Sequence, residues 1–144
     1  MRILERASSL NAKDFDVLVT LGNAHFDSGF AGKNISEFQK ARETYSKALE
    51  LKPGDLEVQT DLGISYVVQE PPAYDKAATQ LQKVLDVNPK HERALLYLVR
   101  AFIGQNKLPD ADKAVAKLKS IDPNNNALPE LTSLISDAQT GAKK

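Results

Sequence analysis

The chain has no cysteine among its 144 residues. That absence removes disulfides, thiolate nucleophiles and sulfur-ligated zinc together. It leaves the compartment open, cytoplasmic or periplasmic, because proteins of both can do without the residue. An excess of one charge is lacking too: Lys plus Arg and Asp plus Glu both number 19. No net field draws such a chain to nucleic acid or to an anionic membrane. No uncharged apolar run approaches the ~18 residues of a membrane-spanning helix, so direct membrane insertion by this segment is not expected. Met1-Arg2-Ile3-Leu4-Glu5-Arg6 has no apolar stretch of the secretory type. Period-two runs of β-branched residues between tight turns are missing as well. What remains, 42% apolar and 26% charged residues, is too apolar for a disordered chain and ordinary for a folded soluble one.

Catalytic groupings are equally scarce. His25 and His91 stand 66 residues apart with no second ligand at metal-binding spacing. His25 and Asp27, two apart on a helix, point in different directions, so His25 is expected to be a packed, hydrogen-bonded core residue. Gly32-Lys33-Asn34 lacks the upstream glycine and the hydroxyl of a phosphate loop. Asn34-Ile35-Ser36 matches a glycosylation sequon, a short pattern that arises readily by chance. Asp14, Asp16, Asp110 and Asp112 suit helix starts, where the dipole favours acids. The expectation is a non-enzyme with no cofactor and no metal.

What is present is repetition. Leu21-Gly22, Ala41 and Ala48-Leu49-Glu50-Leu51-Lys52-Pro53 return as Leu62-Gly63, Ala77 and Val84-Leu85-Asp86-Val87-Asn88-Pro89. They return again as Leu98-Val99, Ala111 and Leu118-Lys119-Ser120-Ile121-Asp122-Pro123. The closing prolines lie 36 and 34 residues apart. That period marks stacked helix pairs, each unable to bury its apolar face alone. Within each copy, apolar residues recur at helical spacing, as in Phe15, Leu18, Leu21, Gly22 and His25 or Tyr74, Ala77, Ala78, Leu81 and Leu85.

The proline turns set the boundaries: a first repeat over 14–54, a second over 55–90, a third over 91–124 and a capping helix over 125–140. Residues 1–13 read as the end of a preceding repeat helix. The chain is therefore expected to be part of a longer protein whose missing N-terminal segment could carry an anchor. Gly22 and Gly63 are expected at close helix crossings, opposite Ala41 and Ala77. Phe30–Ser36 adds about seven residues to the first repeat. It is expected to form a longer turn with Phe30 and Ile35 tucked against the helix ends. Pro71-Pro72 interrupts the second repeat at the equivalent place.

These residues resemble the tetratricopeptide repeat family, whose pattern is carried by Leu18, Leu21, Gly22, Ala41, Tyr45, Ala48 and Pro53 in the first copy. Leu62, Gly63, Tyr66, Ala77, Leu81 and Pro89 carry it in the second, and Leu95, Leu98, Phe102, Ala111, Val115 and Pro123 in the third. The resemblance implies an all-α, right-handed superhelical solenoid whose first helix in each pair lines a concave groove. Carried over by position, that groove holds Val19, Asn23, Phe26 and Asp27, then Thr60, Ile64, Val67 and Val68, then Arg93, Leu96, Arg100 and Ile103. An apolar floor with charged ends suits a peptide or amphipathic helix of a partner protein. Some family members grip the terminal carboxylate of heat-shock chaperones; here Asn23 and Arg93 match that set, whereas Val19, Asp61 and Tyr97 do not. The implied function is a protein-binding scaffold. Self-association as a homo-oligomer is the alternative, as is a regulatory or assembly-factor domain of a larger envelope-associated protein like those of bacteria.

Overall fold

In the computed structural model, residues 14–142 are described; the half-repeat expected over 1–13 lies outside them, as do Lys143 and Lys144 of the tail. All regular structure among the described residues is helical: α1 (Phe15–Gly32), α2 (Ile35–Leu51), α3 (Leu56–Val68), α4 (Tyr74–Val87), α5 (Glu92–Gly104), α6 (Leu108–Ile121) and α7 (Leu128–Ala142). They belong to two compact units, the first ending at Ala73 and the second beginning at Tyr74. That division passes through the stretch expected as the second repeat, leaving α3 in one unit and α4 in the other.

Local chemistry explains where each helix starts. The Asp14 carboxylate accepts from the Asp16 and Val17 amides, Asn34 from Ser36, and Asp55 from Val58. Each satisfies donors that a first helical turn leaves without partners. The His91 imidazole does the same for α5, its Nδ1 accepting from the Ala94 amide at 3.2 Å. Helix α6 has no side-chain cap but carries proline in its first turn, where a missing N–H costs nothing.

In the first unit, Leu18, Ala41, Tyr45, Ala48, Val58 and Leu62 form the core, with Phe15, Val19, Phe26, Leu49 and Tyr66 packed against it. Phe38 and Tyr45 are almost wholly buried; each aromatic contributes on the order of 2–3 kcal/mol by leaving water. In the second unit, Leu95, Leu98, Val99, Ala111, Leu118 and Leu131 are buried at 3% exposure or less. Helix α7 turns Leu131 and Ile135 inward and leaves Glu130, Ser133, Ser136 and Asp137 outside, the polar outer face a terminal helix needs.

Two expectations about the first repeat are corrected. Its extra residues do not make a long turn: α1 runs to Gly32 and α2 begins at Ile35, so the insertion lengthens both helices and only Lys33 and Asn34 connect them. Phe30 and Ile35 consequently stand on the ends of two longer rods, exposed at 61% and 38%, instead of folding back. Gly22 does lie at a close crossing, but its nearest neighbour is the Tyr45 ring and not Ala41: a Cβ there would stand 2.5 Å from the tyrosine Cε1.

Candidate partner-binding faces

In the first unit, Val19, Asn23 and Phe26 follow helical spacing along α1, with Asp27 beside them. Val19 and Phe26 are half-buried against the core, while Asn23 and Asp27 are exposed. Phe26 meets the Phe38 ring edge-on, with centroids 5.4 Å apart and planes at 87°. Its ring therefore supports the fold as well as offering an edge to a ligand. Asn23 accepts a 2.7 Å hydrogen bond from the Tyr45 hydroxyl, which fixes its oxygen and turns its amide donors elsewhere.

On α3 the carried-over face is partly wrong. Thr60 is fully buried and donates to the Leu56 carbonyl at 2.7 Å, and Ile64 is only 4% exposed. Neither can line an accessible surface. The reason is that Leu62, Gly63, Ile64 and Ser65 are buried in succession, so α3 is covered on every side there and has no single outer stripe. Val67 and Val68, half-buried, remain available.

In the second unit, α5 carries Arg93 exposed and Leu96, Arg100 and Ile103 half-buried. Arg100 reaches across to α7, its Nη2 lying 2.9 Å from Glu130 Oε1. Its guanidinium also stands 5.8 Å above the Tyr97 ring, and among the described residues its buried Nε has no hydrogen-bond partner.

Three polar arrangements bear on the sites. His25 is buried between α1 and α2, Nδ1 at 2.8 Å from Glu37 Oε2, the packed histidine the sequence suggests. Its hydrogen bond holds the Glu37 carboxyl below the usual range, with Lys40 at 3.3 Å adding to the effect and burial opposing it. Arg42, missed in the sequence, lies half-buried with its guanidinium 4.1 Å over the Tyr66 ring and Nη1 donating to Ser65 Oγ at 3.0 Å. Burial lowers its pKa and the Tyr66 contact raises it, but a guanidinium remains charged regardless. Glu130 was missed too, because its partner is 30 residues away and no local spacing links them.

Among the described residues no group of three His, Cys, Asp or Glu could hold a metal ion. Among them also, no helix is long and apolar enough to cross a membrane.

Residues 73–135 match the model of the tetratricopeptide repeat family. Over 99 residues, 66% of the chain, the sequence is 28% identical to Protein PHOX3 of Arabidopsis thaliana, and it spans 12% of that relative's length. The first tetratricopeptide repeat domain of human RPAP3 superposes with a TM-score of 0.76 at 20% identity, covering 90% of this chain and 94% of that one. The first such domain of Spaghetti (RPAP3), bound to the HSP90 peptide SRMEEVD, gives 0.72 at 19% identity, covering 90% and 96%. At these identities the structural matches speak for the fold. Residues 73–135 thus carry the tetratricopeptide repeat signature, and the described helices share the all-α fold of tetratricopeptide repeat domains.

Proposed function

We propose that the protein is a non-catalytic scaffold that binds a peptide or helix of a partner protein. Repeats over 14–54, 55–90 and 91–124 and the cap over 125–140 serve as one domain in this reading. The observation that carries it is the character of the leading helices. Val19 and Phe26 beside Asn23 and Asp27 in the first unit, and Leu96 and Ile103 beside Arg93 and Arg100 in the second, give half-buried apolar side chains flanked by charge. Apolar side chains supply affinity for an inserted anchor, and flanking charges set its direction. Peptide recognition by the similar Spaghetti (RPAP3) domain supports this class of function. The chaperone-tail grip itself is not carried over, because Val19, Asp61 and Tyr97 occupy three of its places and an acid such as Asp61 repels an acidic tail.

The test uses the full chain as bait in native extract, comparing it with Asp27→Lys and Ile103→Asp. Asp27 is exposed and Ile103 half-buried, so circular dichroism and melting first establish that each variant is folded before its retention is compared with the parent's. Proteins retained by the parent and lost from both variants are the expected result. Identical retention by all three would overturn the reading. Self-association remains the second reading, favoured by the exposed Phe30 and Ile35. Light scattering that stays monomeric over a hundredfold range of concentration would remove it.

A further inference from the structure

The pairing of Arg100 with Glu130 is incomplete. A guanidinium binds a carboxylate best through two parallel N–H groups, and the Nε and Nη2 edge is one such fork. Glu130 takes only Nη2, at 2.9 Å, and among the described residues Nε is buried with no partner. A buried donor without an acceptor costs free energy, so Glu130 leaves the fork half-used. Glu130 is itself ill suited to stay. It lies in the first turn of α7 and is 58% exposed, against 30% for Arg100, and an ion pair so open to water is weak. The arrangement is a strong receptor held by a weak ligand. Tyr97, at 5.8 Å, steers the cation without neutralising it.

We propose that Arg100 is the receptor for a carboxylate on the partner segment, and that Glu130 of α7 occupies it as an internal stand-in until that carboxylate displaces it. This rests on the scaffold reading above and adds the partner's chemistry: an acidic side chain, not a chain terminus, adjoining the apolar residue that meets Leu96 or Ile103. It also gives α7 a second role beyond covering the last helix pair. By competing for Arg100 it sets a threshold that weakly matched segments do not pass. The competition is reciprocal, so a bound carboxylate loosens the contact between α5 and α7 by as much as α7 weakens binding.

The experiment titrates acetylated, C-terminally amidated hexaglutamate into five forms of the whole chain at low salt: the parent, Glu130→Gln, Arg100→Gln, Asp137→Asn and the double variant Arg100→Gln/Glu130→Gln. Asp137 is an exposed acid on the same helix, and its neutralisation changes net charge equally without touching Arg100. Glu130→Gln is expected to tighten binding about two- to fivefold, the range of an exposed ion pair released. Asp137→Asn should leave it near the parent value, and Arg100→Gln should remove the difference between glutamate and glutamine at position 130 in the double variant. Equal tightening by Glu130→Gln and Asp137→Asn overturns the proposal, since net charge alone would then explain it. So does binding unaffected by Glu130→Gln, or no binding by either protein. Those results leave the scaffold reading standing or falling on the Asp27 and Ile103 variants, which do not depend on Arg100.

Discussion

Helix α1 in the first unit and helix α5 in the second close with the same turn. In each, one residue takes the left-handed conformation, Lys33 at φ 51° and Asn106 at φ 59°. The next amide reaches back five residues: Asn34 N to Gly29 O at 2.9 Å, Lys107 N to Phe102 O at 2.8 Å. This is the Schellman way of satisfying a helix's last carbonyls. Yet the two helices are packed differently. In α1 the small residue is central, and the Tyr45 ring of α2 lies over Gly22. In α5 the matching position is Val99, fully buried, and the close approach has moved to the helix end, where the Tyr74 ring lies over Gly104. The two copies share helix termination through backbone chemistry, whereas the place of tightest contact follows whichever copy supplies the ring.

The largest expected effect tests that difference. Gly22→Ala places a methyl 2.5 Å from Tyr45 Cε1. The ring cannot swing clear, being 1% exposed and tied to Asn23 through its hydroxyl. Overpacking of this kind costs about 1–3 kcal/mol, more than the up to ~1 kcal/mol that alanine gains over glycine in a helix. Gly104→Ala also meets its tyrosine, but Tyr74 is half-exposed and can rotate towards water. Its loss should stay below about 1 kcal/mol. Denaturant melts of the two variants measure both, and equal losses would mean that the two crossings are equally rigid.

The units differ next in where their polar links lie. The first pairs a buried His25 with a half-buried Glu37; the second has Gln105 Nε2 donating to Asp75 Oδ1 at 2.6 Å and Arg100 paired to Glu130, both at the surface. The Glu37 carboxyl is depressed by His25 first and Lys40 next. A carboxyl whose folded pKa lies below its unfolded one adds stability above the unfolded value and loses it as pH falls through the folded one. Stability of the parent should therefore drop on acidification below the usual carboxylate range. Glu37→Gln should flatten that acid limb and cost about 1 kcal/mol at neutral pH. A limb unchanged by the substitution would assign the acid sensitivity to other carboxyls.

Much of the fold was legible because its signals are local. Period and prolines gave the succession of helices, and Asp14 and Asp55 stood where first-turn amides need acceptors. The turn of the first repeat was misread because Phe30–Ser36 contains Gly32 and Asn34, which punctuate loops and helix ends alike. Only the backbone shows that the helices continue to them. The candidate binding faces were less legible still. Family position offered Val19, Phe26, Leu96 and Ile103, all half-buried, but also Thr60 and Ile64, which are interior. Position within a repeat gives direction around a helix; it does not say how much of that helix the rest of the chain covers. Arg42 and Glu130 had no sequence signal because each acts through a residue on another helix, at separations of 23 and 30.

The smallest expected effect returns to the shared turn. A left-handed residue with a Cβ is strained by roughly 1 kcal/mol, less for asparagine, whose short polar side chain tolerates that conformation. Lys33 therefore carries more strain than Asn106 in the same geometry. Lys33→Gly should raise stability by about 0.5 kcal/mol, part of the relieved strain being offset by the greater freedom of glycine in the unfolded chain. Asn106→Gly should change it by less than that, in either direction. Paired urea melts with unchanged slopes would measure the difference. Should Asn106→Gly stabilise as much as Lys33→Gly, the side chain at that position would not matter, and backbone hydrogen bonding alone would account for how both helices end.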